Sequence, residues 1–424
     1  MLPAYCEPSL AMCSEDNPNT MGMCVTLNDP VDENALRSSV EELRVRFPYF
    51  YIRAAVEGNR LIPVSNPLPI VVRDKWDPIL LNSAEANYHM LSVKYEGNRL
   101  AAEICHSISD GAGFLPFFKS LLYCYLCKVT GETIDPAGFR LPGDIIPESE
   151  TGNPFSDEDI TAAKEPFYVK PPVKDFYRMQ NDQADGKGSG KTMYIRLPER
   201  SIMQYCSDMD ASPNTLISVL ISRAIRRMDP DSDRTVTCEV AFDHKSQLGN
   251  HDNYRMLVEM AVLDMPKGRE NFSIQKSCTI ARGQLMLQVQ PKNSLYMLNR
   301  RRIWFEKLGQ MPLQMQVDAF KEYMKRPQAT ASVSYPTCRS FGPLDGHINE
   351  LYYLSEPSAT DIMCEIACIN HCFFLALSPA YVPDEFFGAF LAELDDAGIS
   401  YNIMRSEPFH LSGVRYDGLD GIKI

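Results

Sequence analysis

Prolines at 136, 142, 147, 154, 166, 171 and 172 crowd one stretch of the chain, and on either side of it segments of strand period alternate with segments of helix period. Proline lacks the N–H that a sheet ladder needs and clashes inside an established helix. So dense a run therefore reads as an irregular crossing linker between two folded parts. A chain of 424 residues also exceeds what one hydrophobic core usually serves. The fold class expected is α/β with two sandwich-like lobes: residues 1–185, ending in the linker at about 130–190, and residues 186–424.

The periodicities supply the elements. A strand is expected over 21–27 and a helix over 32–47, where Leu36, Val40, Leu43 and Phe47 recur on one helical face. Asp29 or Asp32 can cap that helix, and Pro48 ends it. Gly58-Asn59 and Gly97-Asn98 each separate two apolar runs, as tight hairpin turns require. The second hairpin leads into an apolar arm, Leu100 to Cys105, and a helical pattern follows from Phe114 to Cys127. In the second half, strands are expected over 192–197, 236–242 and 257–263, and a helix that opens on Pro213 over 213–228. Helical patterns cover 273–290 and 292–326, with breaks at Pro291 and Pro312. Three or four strands fall between Ala329 and Leu377, and a last helix spans 383–397.

With 45% hydrophobic and 23% charged residues the chain has the make-up of an ordinary globular protein. Its net charge of −13 argues against a nucleic-acid partner, which needs clustered Lys and Arg. No apolar run reaches the length of a membrane span, and the first residues lack the basic start and apolar block of a secretory signal, so a cytoplasmic protein is expected. Its 13 cysteines are then reduced thiols. Cys124 and Cys127 lie inside the apolar helical pattern and read as packing. Cys364, Cys368 and Cys372, with His371, match no standard zinc or iron–sulfur spacing; they read as same-face positions of a strand, and no metal is expected. Gly190-Lys191-Thr192 has the ending of a phosphate-binding loop, but Asp185 stands where the first glycine belongs and a strand follows where a helix is needed. It reads as a basic loop.

The phrase His106-Ser107-Ile108-Ser109-Asp110-Gly111 sits between the hairpin arm and the helical pattern. An imidazole at a strand end can be neutral near pH 7 and take a proton, a nearby carboxylate can fix local geometry, and glycine permits a sharp chain reversal. Cys105 is a poor partner for a Cys–His pair, because adjacent strand residues point to opposite faces.

Taken with its surroundings, this phrase resembles the CoA-dependent acyltransferase superfamily, which includes chloramphenicol acetyltransferases, plant acyltransferases, condensation domains and alcohol acetyltransferases. The resemblance rests on the order strand, amphipathic helix, Arg46-Phe47-Pro48, hairpins and then the stretch from Glu103 to Gly113. It extends to Ser332-Val333-Ser334-Tyr335 and Phe341-Gly342-Pro343-Leu344, which look like the family's second-lobe strand and loop beside the active channel. The alcohol acetyltransferase-like branch fits best. Cys105 stands where many condensation domains carry a further histidine, and the Asp-Phe-Gly-Trp-Gly phrase of the plant branch is missing.

The resemblance implies two chloramphenicol-acetyltransferase-like lobes, each a mixed sheet with flanking helices, and a channel between them. It implies direct acyl transfer from a CoA or carrier-protein thioester to a hydroxyl or amine, with no bound cofactor. His106 would be the general base, Asp110 a structural carboxylate and Gly111 the turn into the next helix. Ser334 is the positional candidate for an oxyanion donor, although an ordinary strand serine fits there as well. A condensation-like domain served by a carrier protein, and a non-catalytic member that only binds acyl groups or carrier proteins, remain as alternatives. Since both lobes lie in one chain, a monomer is expected.

Overall fold

Strand β1 (Thr20–Leu27) is buried along nearly its whole length, because strands flank it on both sides. The computed structural model describes residues 7–15, 18–179 and 190–416. The lobe boundary expected at 185/186 and the linker residues next to it lie outside the described residues. After β1 come β2 (Ile52–Glu57), β3 (Arg60–Ser65), β4 (Val72–Asp74), β5 (Leu91–Glu96), β6 (Arg99–Cys105) and β7 (Lys191–Pro198). The later strands are β8 (Val236–Asp243), β9 (Val258–Met265), β10 (Ala331–Ser334), β11 (Ile348–Ser355), β12 (Ile362–Ile369), β13 (Cys372–Pro379) and β14 (Asn402–Pro408). The helices are α1 (Glu33–Glu42), α2 (Gly111–Thr130), α3 (Glu148–Thr151), α4 (Glu158–Ala162), α5 (Glu199–Asp208), α6 (Pro213–Met228), α7 (Ile274–Gln288), α8 (Pro291–Gly309), α9 (Leu313–Met324) and α10 (Pro383–Asp396).

Two mixed sheets organise the chain. The first runs β11-β1-β6-β5-β4, antiparallel except for β4 on β5. The second runs β14-β7-β13-β12-β10-β8-β9, with β10 parallel to both β12 and β8. Local chemistry explains many of the boundaries. Gly58 and Gly97 both adopt φ 60°, which an L-residue avoids, and close the β2–β3 and β5–β6 hairpins. Asp110 caps the start of α2, and Gly131 ends it in the left-handed region at φ 68°. Ser212 and Thr215 form a reciprocal capping box around Pro213 in the first turn of α6. The sequence did not lead us to expect α5, β14, the short strand β4, or the short helices α3 and α4 inside the proline-rich stretch.

The second half of the chain contributes to the first lobe. Strand β11 pairs antiparallel with β1, setting Met21 against Ser355 and Met23 against Tyr353. Without it the apolar β1 would be an open edge with unpaired backbone groups. Phe305 and Leu308 of α8 and Val317 and Phe320 of α9 join the same core as β1 and α2. Thus residues beyond 291 build part of the lobe expected within 1–185.

The cysteine reading also changes. Asn370 and His371, at φ 49° and 57°, form the turn between β12 and β13, so Cys372 lies on the next strand. Cys364 and Cys368 face the second core, while Cys372 borders the first and accepts a hydrogen bond from Arg196 Nε at 3.1 Å. No cluster of His, Cys, Asp and Glu suited to a metal occurs among the described residues, and no helix there is long and apolar enough to cross a membrane.

Candidate active site

His106 stands one residue past the end of β6. Its backbone N–H donates to Asn19 O at 3.1 Å, just before β1 begins, and Ile108 N–H turns back to Cys105 O at 3.1 Å. The ring is half-buried, and its Nδ1 is enclosed with no hydrogen-bond partner among the described residues. Cys105 is fully buried, its Sγ 3.0 Å from the Sγ of Cys13. Burial and that second sulfur push the Cys105 thiol far up, which keeps it protonated and unreactive.

Asp110 spends its oxygens elsewhere. Oδ1 accepts Gly113 N–H at 2.8 Å and pairs with Lys245 Nζ; Oδ2 accepts Leu257 N–H at 2.8 Å. Lys245 and Leu257 belong to the connection between β8 and β9, so this carboxylate fastens the start of α2 to the second sheet. Ser109 Oγ adds a hydrogen bond to Tyr254 O in the same connection, at 2.5 Å. The pair Asp110–Lys245 is shut away from water, which makes it costly to break from one side.

The glycine role shifts by two residues. Gly111 is not in the left-handed region, and a Cβ there would lie 3.6 Å from Pro336, an ordinary contact. At Gly113 a Cβ would fall on the carbonyl oxygen of Tyr254. The reversal expected at Gly111 is therefore made by the 106–110 loop, and close approach of the second lobe demands glycine at 113.

One cavity of about 180 Å³ between the two sheets is lined by His106, Asp110 and Gly111. His106 shares it with Met21 and Met23 of β1, Tyr353 and Ser355 of β11, Phe242 and Asp243 of β8, Ser334 of β10 and Glu365 of β12. Ser334 lies directly beside Glu365 in the parallel register of β10 and β12. Burial pushes the Glu365 carboxyl above the ordinary carboxylate range; hydrogen bonds from Ser355 and Ser334 and the nearby His106 act against that rise. Burial likewise raises Asp243. The structure thus brings His106, Gly111 and Ser334 to one cavity, with Asp110 at its edge as an anchor.

Glu365, Lys245 and Tyr353 were not picked out in the sequence. Glu365 left a usable signal: it is the only charged residue in the otherwise apolar strand Ile362–Ile369. Lys245 left none, since a lysine after a strand is ordinarily solvated.

Two lobes wall this cavity, with the His106-to-Gly111 loop on one side, and the fold is shared with solved structures, a condensation domain among them. No family model matches the chain, and no curated protein matches it in sequence. Among solved structures, TRI101 of F. graminearum, complexed with coenzyme A and deoxynivalenol, is similar with a TM-score of 0.58 at 14% identity, covering 93% of this chain and 98% of that one. Polyketide synthase associated protein 5 from Mycobacterium tuberculosis gives 0.54 at 14% identity, over 90% and 98% of the two chains. The first condensation domain of the calcium-dependent antibiotic synthetase gives 0.56 at 9% identity, over 94% of each.

Proposed function

We propose that this protein is an acyltransferase that moves an acyl group from a thioester, of CoA or of a carrier protein, to a hydroxyl or amine acceptor in one ternary complex. The observation that carries the reading is the His106 ring, set in a cavity walled by both sheets, with Nδ1 enclosed and without a hydrogen-bond partner among the described residues. Neutral His106 takes the proton of the acceptor as its oxygen or nitrogen attacks the thioester carbonyl, and the imidazolium then returns that proton to the leaving thiolate. No enzyme nucleophile takes part, since a thioester is already activated. Asp110 acts through position: bound to Lys245 and Leu257, it keeps the loop against the second lobe. Ser334 remains the candidate donor to the developing oxyanion. Its hydroxyl also serves Glu365, so it must turn from that carboxyl to act.

Both walls of the cavity come from one chain, which fits a monomer. All twelve cysteines among the described residues are free, which fits a reducing cytoplasm. The likeness to condensation domains keeps carrier-bound donors in view beside CoA.

Thiol release measured over a panel of acyl-CoA and acyl-carrier donors, with alcohol and amine acceptors, tests the reading. His106→Ala is expected to lower the rate about 10²–10⁴-fold at an unchanged melting temperature. Wild-type turnover in that variant would refute the base role. Binding of acyl groups without turnover by the wild type would favour a non-catalytic protein instead.

A further inference from the structure

We infer that the acceptor is a largely apolar molecule with more than one hydroxyl, and that Glu365 and Tyr353 form a subsite for a hydroxyl other than the one that reacts at His106. The inference rests on the acyl-transfer reading above and narrows its substrate class.

Three observations carry it. First, an ionised carboxylate offers about four positions to hydrogen-bond donors. Glu365 receives two, from the side chains of Ser334 and Ser355, and it lines the cavity while only 5% exposed. Acceptor capacity is left over on a carboxyl that lines the cavity. Second, the phenol oxygen of Tyr353 is buried with no partner among the described residues, in a side chain 4% exposed that lines the same cavity. Tyr353 and Ser355 lie two apart on β11 and so share a face, and Glu365 is among the charges acting on the Tyr353 phenol. Third, His106 apart, no basic side chain among the described residues lines the cavity, whereas Asp110, Asp243 and Glu365 do, Asp110 being already paired with Lys245 behind the wall. Much of the remaining wall is apolar, from Met21, Met23, Phe242, Val258, Met260 and Met363.

These features select a chemistry. An anionic group would meet the carboxyls of Asp243 and Glu365, and the one cation nearby, Lys245, is already spent on Asp110. An ammonium would donate to Glu365 but could not accept the Tyr353 O–H, which would stay unpaired. A hydroxyl does both, donating to the carboxylate and accepting from the phenol. Sites built to bind a hydroxyl discriminate strongly against the analogue that lacks it, because their own polar groups are then left unpaired.

The test uses octan-1-ol, the 1,2-, 1,3- and 1,4-octanediols and 2-aminooctan-1-ol as acceptors, with the best thioester donor found in the thiol-release assay. The wild type is expected to prefer at least one diol over octan-1-ol by about tenfold or more in kcat/KM. Glu365→Gln and Tyr353→Phe should each cut that preference ratio about tenfold, mainly through KM for the diol. Because the readout is a ratio between two acceptors on the same variant, a general loss of folded protein or of Ser334 geometry cancels. Tyr353→Phe removes only an unpaired oxygen and provides a variant that keeps the core intact.

Equal use of octan-1-ol and all three diols would overturn the inference. So would a ratio unchanged in both variants, or a preference for the amino alcohol over every diol. Calorimetric binding of the same alcohols to wild type and Glu365→Gln separates this outcome from failure of the acyl-transfer reading. With no thiol released from any pair, tighter binding of a diol that is lost in Glu365→Gln sustains the subsite, and equal binding of diol and mono-alcohol removes it.

Discussion

At the residue scale, the carboxylate of Asp110 is occupied wholly by structure. Its removal should therefore be felt first as lost stability. Asp110→Asn leaves Lys245 charged and shut away from water, at a cost of about 3–5 kcal/mol, and urea unfolding should show it as a lower midpoint. Replacing both members, Asp110→Asn with Lys245→Met, should recover much of that loss, since an apolar side chain carries no charge to strand. An Asp110→Asn midpoint equal to wild type would contradict the anchoring role. The two glycines make a matched pair. Gly113→Ala drives a methyl onto the Tyr254 carbonyl and should cost about 1–3 kcal/mol, whereas Gly111→Ala should stay within about 1 kcal/mol. Thermal melts of the two variants, side by side, decide whether position 113 is the true close approach.

At the element scale, the short helix α3 shows how the proline-rich stretch is held. Its buried Glu150 accepts from the buried Arg46 at 2.6 and 2.7 Å, takes the Tyr49 hydroxyl, and pairs with the partly exposed Arg140 at 2.8 Å. Burial alone would raise this carboxyl, but the hydrogen bonds from Arg46 and Tyr49 and the two guanidinium charges prevail and hold it below its ordinary 4.5. A folded-state value below the unfolded one stabilises the protein above about pH 4.5, and the contribution disappears as pH falls through the depressed value. The gap in urea midpoint between wild type and Glu150→Gln should thus be widest at pH 7 and close in acid. A gap independent of pH would exclude the linkage. The sequence showed the stretch as irregular because proline acts locally. It did not show the anchor, because Arg46 and Glu150 are 104 residues apart. For the same reason the Gly58 and Gly97 turns, the Asp32 cap of α1 and the Pro213 start of α6 were legible, while the placement of β11 beside β1 was not.

At the scale of the whole molecule, the chain crosses between lobes more than once, and its C-terminal part ties them together. After β14 in the second sheet, residues 410–414 lie along the first lobe. The His410 carbonyl accepts from Lys94 at 2.8 Å, the Ser412 carbonyl accepts from Thr20 at 2.8 Å, and Val414 bridges to Leu81. Glu356 holds this strap through Leu411 N–H at 2.7 Å. Burial lifts its carboxyl to about 7, against the opposing pull of that N–H. Here the folded value lies above the unfolded 4.5, so the contribution is complete below about pH 4.5 and is lost as pH rises through about 7. Glu356→Gln should flatten the decline in melting temperature between those limits. An identical slope in the variant would mean that other groups set it.

The sequence by itself determined the short-range features: the His106-to-Gly111 loop, the glycine turns, the helix caps, and the division into strand- and helix-forming segments. Each depends on residues a few positions apart, whose spacing and backbone preferences act before any fold exists. Only the tertiary structure decided which strand closes the edge of β1, which lysine meets Asp110, and that Ser334, Ser355, Tyr353 and Glu365 face one cavity with His106. Those relations are made across tens to hundreds of residues by burial and by the satisfaction of polar groups, and a linear pattern carries no record of who meets whom.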